Sequence, residues 1–297
     1  MDKNLEYEPV RGAHILMIVN PVSGRIGGEH TADKLEAWLK ENGAAVDRFE
    51  TTETENGSGY TAKLAENDYA RVVVLGGDGT VLHTVHLLHD RQVPILPINF
   101  GRLGFLADVG GNDIEDTLDE LFKNYYKIEE RTLLRLYTEG RVFRGYNYAL
   151  NEIAILKRDT SSMITIHTSL NDEYLASYQA DGLLIATPTG STAYSMSVNG
   201  PIIIPQSKNL VLSPVAPHSL NVRPLIIPDN YTITLGVESR NKSFLISLDG
   251  RSEVFPAGIQ LTITKADYTT KVIKRYNHTF YQTLREKLMW GADARMK

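Results

Sequence analysis

The stretch that decides the fold is VVVLGGDGTVLHT, from Val72 to Thr84. Its four leading apolar residues, 72–75, predict a short strand buried on both faces, as in a parallel sheet covered by helices. Two glycines end this strand, and Asp78 follows at its carboxyl end. Apolar residues at helical spacing after Gly79 predict the first turns of a helix. The stretch therefore predicts a strand, a glycine turn and a helix N-terminus.

Such a turn can bind an anion, because backbone amides at a helix N-terminus point at the ligand and the helix dipole favours negative charge. Gly76 and Gly77 can take positive φ values and carry no side chain, so a phosphate can approach their amides. Gly79 and Thr80 complete this candidate phosphate site. Taken alone, the stretch fits a simple tight turn equally well, since Gly and Asp dominate turns. Because a carboxylate repels phosphate, Asp78 is paired, holds a metal or accepts a proton, and a phosphoryl transferase needs such a group beside the attacking hydroxyl.

Length and composition indicate an ordinary globular protein. The chain has 297 residues, enough for two domains or one large one, with 42% hydrophobic and 23% charged residues. A net charge of -5 argues against general binding to nucleic acid or anionic membranes, and the absence of cysteine excludes disulfides and thiolate metal sites. The first ten residues are polar and acidic, and no stretch has the length of a membrane span, so we expect a cytoplasmic protein.

The first part of the chain alternates between strand and helix. Apolar runs predict strands at 14–19, 44–49, 72–75 and 94–99, and apolar residues at helical spacing predict helices around 35–39, after 79 and around 114–122. This alternation predicts a parallel, doubly wound sheet, in which ligands lie beyond the carboxyl ends of the strands. The turn after Asn20, the glycine turn 76–80 and residues 99–104 should therefore lie along one edge.

The sequence pattern changes at about residue 127. Short segments rich in β-branched and aromatic residues, separated by polar turns, continue to about residue 273 and predict a β-rich domain. Residues 280–290 have helical spacing again, and we expect this last helix to pack back on the first domain. The predicted domains are thus an α/β domain at 1–126, to which 274–297 returns, and a β-rich domain at 127–273.

Five stretches carry a resemblance to a known family. They are GGDGT at 76–80, NFGRLGFL at 99–106, NE at 151–152, DGLLIATPTGSTAYS at 181–195 and PHSLNVRP at 217–224. In this order and approximate spacing, the chain resembles NAD kinases from about residue 71 to the last helix. The turn GGDG alone is also similar to turns of diacylglycerol kinases, sphingosine kinases and phosphofructokinases, whereas GSTAYS together with LGFL and NE is much more specific.

The resemblance implies an enzyme that moves the γ-phosphoryl group of ATP to the 2′-hydroxyl of the adenosine ribose of NAD, giving NADP. It also implies an α/β domain for ATP, a β-rich domain for NAD, and homodimers or homotetramers. A ribose hydroxyl is a poor nucleophile, so a carboxylate must orient it or take its proton, and Asp78 is our candidate. Mg²⁺ is expected to arrive with ATP, since it keeps several waters and needs few protein ligands, so no protein metal site is predicted. The sequence leaves open whether inorganic polyphosphate can replace ATP.

The resemblance also implies contacts with the dinucleotide. It places Asn151 and Glu152 on the ribose hydroxyls, and Phe105 and Leu106 near the adenosine. The ring of Tyr194 offers a face for adenine or nicotinamide. Further implied contacts are Asp181, Thr189, Thr192, Ala193 and Ser197. Asp249 and Gly250 predict a hairpin turn, and because the family often has an Asp here near the nucleotide, Asp249 is included.

Two other functions stay open on the sequence alone. NPVSG at 20–24 resembles the turn that opens lipid kinases, so a kinase of the diacylglycerol or sphingosine type is the alternative. A noncatalytic NADP-binding sensor is a third. Arg223, between prolines, suits a phosphate contact and the bracing of a loop or of a subunit contact equally well.

Overall fold

The computed structural model describes residues 11–21, 28–51, 63–64, 66–99, 104–107, 109–110, 117, 120, 125–158, 162–276 and 278–291. The chain divides into two units, Met1–Glu130 with Lys271–Lys297, and Arg131–Thr270. Residues 23, 24 and 100–103, and most of the helix predicted at 114–122, lie outside the described residues.

The elements are numbered in chain order. They are β1 (His14–Val19), α1 (Gly28–Glu41), β2 (Ala45–Glu50), β3 (Arg71–Leu75), α2 (Asp78–Leu88), β4 (Ile95–Asn99), β5 (Val109–Gly110), β6 (Tyr126–Thr138), β7 (Tyr148–Ala149), β8 (Glu152–Lys157), β9 (Ile164–Leu170), β10 (Glu173–Ala180), β11 (Gly182–Ala186), a 3₁₀ helix (Thr189–Thr192), α3 (Tyr194–Ser197), β12 (Asn209–Val215), β13 (Leu225–Pro228), β14 (Ile233–Glu238), β15 (Ser243–Leu248), β16 (Arg251–Pro256), β17 (Gln260–Arg275) and α4 (Phe280–Leu288).

The first unit contains the predicted parallel sheet, in the order β4-β3-β1-β2. The short strand β5 also pairs with β4 in parallel, as does the end of β17 through Val272 and Ile95. All five residues of β3 and of β4 are buried, which explains why both strands are apolar runs without alternation. The parallel sheet predicted from these runs is confirmed.

The ends of these strands bring their turns together. The amide of Asn20, after β1, donates to Leu75 O at 2.9 Å, and the amide of Gly76, after β3, donates to Ile98 O at 2.9 Å. The turn after Asn20 and the glycine turn therefore lie at one edge of the sheet, as the alternation of strands and helices predicted.

The second unit is built from antiparallel strands. One sheet has the order β13-β12-β11-β8-β15-β16, and β10, β9, β14 and the start of β17 pair in that order. The inward side chains include Ile153, Leu183, Leu212 and Phe244, all fully buried. The β-rich prediction is confirmed, although it missed the helical turns at Thr189–Thr192 and Tyr194–Ser197. Four-residue helices are too short to show helical spacing.

The last helix, α4, packs within the first unit as predicted. It begins with a capping box, in which Thr279 Oγ1 accepts from the Gln282 amide and the Gln282 side chain accepts from the Thr279 amide. The ring of Phe280 lies 6.3 Å from that of Phe105, and Lys287 Nζ lies 4.9 Å from the centre of the Phe105 ring. None of the described helices is long and apolar enough to cross a membrane.

Candidate functional site

Asp78 is the first residue of α2 and is bound by a loop that follows β4 in the chain. Its Oδ2 accepts from the Phe105 amide at 3.1 Å and its Oδ1 from the Ala107 amide at 3.4 Å. The carboxylate is therefore paired with two backbone amides. An ionised carboxylate has about four lone-pair sites, so two amides leave capacity for a ligand hydroxyl.

The glycine turn differs from expectation in its backbone. Gly77 is extended, with φ -81° and ψ 178°, and none of Gly76, Gly77 and Gly79 has a positive φ. Glycine is required at 76 for space instead, because a Cβ there would lie 2.5 Å from Thr80 Oγ1 and 2.8 Å from its Cβ. A Cβ at Gly77 would meet nothing within 4 Å, so this side of the turn is open.

The turn keeps the properties of an anion site. The amides of Thr80 and Val81 donate to Gly77 O at 3.0 and 3.3 Å, so among the first amides of α2 those of Asp78 and Gly79 can face an anion, and the helix dipole favours negative charge at this end. Thr80 Oγ1 accepts from Asn20 Nδ2 at 3.1 Å, so the turn after β1 supports the start of α2. Thr80 is 8% exposed, which leaves its hydroxyl mostly within the protein.

The loop of residues 104–107, called the LGFL loop after the motif at 103–106 that it overlaps, is closed by its own backbone and by a buried lysine. Gly104 N donates to Ala107 O at 3.0 Å, and Lys274 Nζ donates to Leu106 O at 2.7 Å. Lys274 is 5% exposed and Leu106 is 3% exposed. Sequence reasoning missed Lys274, and the only available signal was a charge after the apolar end of β17. The Leu106 side chain is thus buried, whereas Phe105 is half-buried beside α4.

In the second unit, the predicted residues 151, 152 and 249 meet at one end of three strands. Glu152 of β8 is opposite Ala186 of β11, and Ile153 is opposite Leu248 of β15. Asp249 follows β15 directly and accepts from three successive amides, those of Leu150 at 2.7 Å, Asn151 at 2.8 Å and Glu152 at 3.1 Å. The predicted hairpin turn at Asp249 and Gly250 is present, since both have positive φ between β15 and β16.

Glu152 has an unusual charge state for a carboxyl group. Burial raises its pKa to about 8, the neighbouring charge of Asp249 adds to this, and the backbone amide of Tyr194 opposes it. Its Oε2 is buried without a hydrogen-bond partner among the described residues. At neutral pH a protonated Glu152 can therefore donate a hydrogen bond, for example to a ribose hydroxyl oxygen.

Gly190 is needed for close packing. A Cβ there would lie 2.7 Å from Asn151 Cα and closer still to the Asn151 carbonyl. Thr187 Oγ1 adds a bond to Leu150 O at 2.6 Å and accepts from the Gly190 amide at 3.1 Å. The small residues of this turn therefore pack against the segment that carries Asn151.

The remaining residues of the predicted pocket in this unit differ in access. Thr189 is 7% exposed, whereas the ring of Tyr194 is 38% exposed and available for stacking. Thr192 and Ala193 are half-buried, and Ser197 is exposed. Tyr194 and Ser197 are the most exposed members of this group.

Asp181 lies far from the other predicted NAD contacts of this unit. It precedes the five-residue strand β11 whereas Thr187 follows it, so six residue steps at about 3.3 Å each place the two about 20 Å apart. Its Oδ1 pairs with Lys157 Nζ at 2.7 Å. Within this chain, a contact of one ligand part with both Asp181 and Glu152 is excluded by this distance.

Arg223 braces its own loop. It is exposed, and its Nη1 donates to Leu220 O at 2.6 Å and to Val222 O at 2.8 Å. These two bonds fit the loop brace, and the phosphate contact stays a prediction. Among the described residues, no three His, Asp or Glu side chains form a group that could hold a metal ion.

Comparison with known proteins gives a consistent result. The family model for the ATP-NAD kinase N-terminal domain matches residues 15–126, and the model for the ATP-NAD kinase C-terminal domain matches residues 150–275. An NAD kinase of Bacteroides fragilis is 56% identical over 229 residues, which cover 77% of this chain and 79% of the relative. An NAD kinase of Flavobacterium psychrophilum is 43% identical over 265 residues, 89% of this chain and 88% of the relative.

Two solved structures share the fold. Yeast NADH kinase complexed with NADH matches with a TM-score of 0.81 at 20% identity, covering 96% of this chain and 90% of the yeast chain. An NAD kinase from Archaeoglobus fulgidus in complex with ATP matches with a TM-score of 0.74 at 24% identity, covering 93% of this chain and 98% of the other. At these identities the likeness concerns the fold alone.

Proposed function

The chain belongs to the NAD kinase family. We propose that Asp78 activates the ribose hydroxyl of NAD and that the residues around Glu152 bind NAD. The reaction is the transfer of the γ-phosphoryl group of ATP to the 2′-hydroxyl of the adenosine ribose of NAD, giving NADP. The comparisons do not support the lipid kinase alternative. The proposal of residue roles rests above all on the amide-bound carboxylate of Asp78 at the N-terminus of α2.

Asp78 is proposed to orient the ribose hydroxyl and accept its proton. Its two amide bonds fix the carboxylate, and its remaining lone pairs can accept from the hydroxyl. A fixed acceptor reduces the entropy lost when the hydroxyl is aligned for attack on the γ-phosphorus. As the proton leaves, the oxygen becomes a better nucleophile and the bond to the β-phosphate oxygen breaks.

The glycine turn is proposed to bind the triphosphate. The amides of Gly77 and Gly79 lie at the start of α2, where the dipole favours phosphate, whereas the Gly76 amide donates to Ile98 O and the Thr80 amide to Gly77 O, so Gly76 and Thr80 contribute through the shape of the turn. Mg²⁺ is proposed to arrive as part of the ATP complex, because it binds phosphate oxygens and water more than protein side chains. The carboxylate of Asp78 then faces a metal-neutralised phosphate, which lowers the repulsion between the two anions.

The NAD site is proposed to centre on Asn151 and Glu152, which offer a carboxamide and a protonated carboxyl to the ribose hydroxyls. The exposed ring of Tyr194 offers a stacking face for adenine or nicotinamide. Phe105 and Leu106 remain predicted contacts of the adenosine. Further proposed contacts are Thr189, Thr192, Ala193, Ser197, Asp249 and, at the far end of β11, Asp181.

The test is formation of NADP from ATP, Mg²⁺ and NAD by the purified protein, followed with a coupled NADP-dependent dehydrogenase. Asp78→Asn keeps the size of the side chain and one acceptor oxygen but removes the charge. We expect it to lose at least about a hundredfold in kcat while its Kd for NAD changes little. Normal turnover in Asp78→Asn would remove the role given to this residue. Any turnover by the unmodified protein excludes a noncatalytic NADP sensor.

The same assay decides the remaining substrate questions. NADH is offered in place of NAD, and inorganic polyphosphate in place of ATP, each at matched concentration. A homodimer or homotetramer stays a prediction that a native mass measurement tests. The expected cytoplasmic location also stays a prediction, which localisation of the tagged protein in its own cells tests.

A further inference from the structure

The hairpin between β15 and β16 binds the segment 146–152, which carries the proposed NAD-binding residues Asn151 and Glu152. Its turn has two residues, Asp249 with φ 48° and Gly250 with φ 86°. Two successive positive φ values form the tight turn that matches the twist of paired strands, and Asp-Gly favours it. The turn thereby holds the Asp249 carboxylate at a fixed place next to Glu152.

Two residues of the hairpin make these contacts. The Asp249 carboxylate accepts from the amides of residues 150, 151 and 152, at 2.7, 2.8 and 3.1 Å. Arg251, two residues later, donates from Nη1 to Tyr146 O at 2.5 Å and from Nη2 to Tyr148 O at 2.7 Å. The Asp249 amide also donates to Glu152 O at 3.2 Å, so one hairpin binds the segment 146–152 through three of its amides and three of its carbonyls.

These contacts explain a local conformation that a strand cannot adopt. In a strand, successive amides and side chains point to opposite sides, so adjacent polar residues such as Asn151 and Glu152 would face opposite ways. Here three successive amides converge on one carboxylate, as they do around a bound anion in a backbone nest. Asp249 takes the place of that anion, and residues 150 and 151 form a bend between β7 and β8.

The guanidinium of Arg251 is held in place by aromatic rings. Its Cζ lies 5.8 Å from the centre of the Phe143 ring and 5.7 Å from that of Tyr146. The Tyr146 hydroxyl in turn bonds the Tyr268 hydroxyl at 2.6 Å. Arg251 is therefore fixed by packing as well as by its two carbonyl acceptors, which suits a residue that positions others.

We propose that Asp249 and Arg251 are positioning residues, a hairpin clamp that holds the bend at Asn151 and Glu152 in the shape that binds NAD. The clamp rests on the proposed function, and it changes the role of Asp249 from a dinucleotide contact to a backbone anchor. It acts on the NAD side of the reaction only. Loosening it lowers the fraction of molecules in which both side chains are presented together, and the apparent affinity for NAD falls by the same factor.

The first test replaces the carboxylate. Asp249→Asn keeps the size but presents an NH₂ group to at least one amide, so the three amide bonds cannot all form. We expect KM for NAD to rise about tenfold to a hundredfold while KM for ATP stays within twofold. The matched control is Asp172→Asn in the hairpin between β9 and β10, where Asn171 and Asp172 also have positive φ, 48° and 66°. This control should leave both KM values unchanged.

The second test replaces the guanidinium and does not depend on the fold of the first variant. Arg251→Lys keeps a charge that can reach one carbonyl, whereas Arg251→Met keeps only the length. We expect KM for NAD to rise in both, less in the Lys variant, with the melting temperature recorded for each.

Three results would overturn the clamp. One is an unchanged KM for NAD in a folded Asp249→Asn or Arg251→Met protein. Another is an equal rise in both KM values, which indicates general loosening. The third is the same rise in Asp172→Asn. A failure of the proposed function is distinguishable from all three, because the unmodified protein would then make no NADP.

Discussion

Gly104→Ala gives the most direct test of how Asp78 is held. A Cβ built on Gly104 would lie 2.7 Å from Asp78 Cγ and 2.9 Å from its Oδ2, with Oδ1 closer still. Non-bonded carbon atoms rest about 3.5–4.0 Å apart, so the carboxylate or the LGFL loop must move by about 1 Å. The neighbour is a short, fixed side chain and not the end of a flexible one, so the contact cannot be relieved by a small rotation.

The size of the effect follows from the distances. The amide bonds to Asp78 are 3.1 and 3.4 Å long, and a shift of about 1 Å takes both beyond hydrogen-bond range. Misplacement of a reacting group by about 1 Å costs on the order of a hundredfold in rate. We therefore expect kcat to fall about a hundredfold, which is about 2.7 kcal/mol in activation free energy. Loss of bonds to a charged group also predicts a lower melting temperature.

The assay is NADP formation at saturating ATP and NAD, with circular dichroism to show that the variant is folded at the assay temperature. The matched control is Gly236→Ala in β14, where a Cβ would meet nothing within 4 Å and φ is not positive. Its kcat should stay within twofold. If folded Gly104→Ala retains more than a third of the kcat of the unmodified protein, the position of Asp78 is not what the LGFL loop controls, and the reasoning fails.

Two further predictions concern buried ionisable groups. Because burial raises the pKa of Glu152 to about 8, the folded state binds its proton more tightly than the unfolded state, so this group contributes stability below pH 4.5 that is lost as pH rises through about 8. Glu152→Gln should remove that loss, so between pH 5 and pH 9 its free energy of unfolding should rise by roughly 2–4 kcal/mol relative to that of the unmodified protein. Urea unfolding at each pH measures this difference. If the free energies of unfolding of the two proteins change with pH in parallel, the prediction is wrong. Lys274→Met removes the donor to Leu106 O. We expect its kcat to fall about three- to tenfold while its KM for NAD stays unchanged. An unchanged kcat would show that the buried ammonium does not hold the LGFL loop.

The parallel sheet was predictable because its strands are buried on both faces. A strand with helices on both sides is apolar at nearly every position, so β1, in which only His14 is polar, could be placed at its observed bounds from sequence alone. β2 is mostly half-buried and was predicted one residue early, because its apolar and polar residues are mixed and its ends differ little from the flanking turns in hydrophobicity. The helix around 114–122 falls mainly outside the described residues and stays a prediction.

The site residues were identified more readily than their roles. The bonds to Asp78 come from amides 27 and 29 residues away, and those to Asp249 come from amides 97 to 99 residues away. Backbone amides leave no trace in the sequence, so these partners could not be predicted. The place of Asp181 could have been, because a strand between it and Thr187 must put the two at opposite ends.

Asp78 and Asp249 both accept hydrogen bonds from backbone amides, but the number and length of these bonds differ. Asp249 accepts three amides at 2.7 to 3.1 Å, which commits most of its lone pairs to the backbone. Asp78 accepts only two, at 3.1 and 3.4 Å, and lies at the open N-terminus of α2. A group that reacts must keep capacity for the substrate, whereas a group that positions need not. The two Asp→Asn variants should therefore differ in kind, with kcat lowered at 78 and KM for NAD raised at 249. The same kinetic change in both would mean that the two carboxylates share one role.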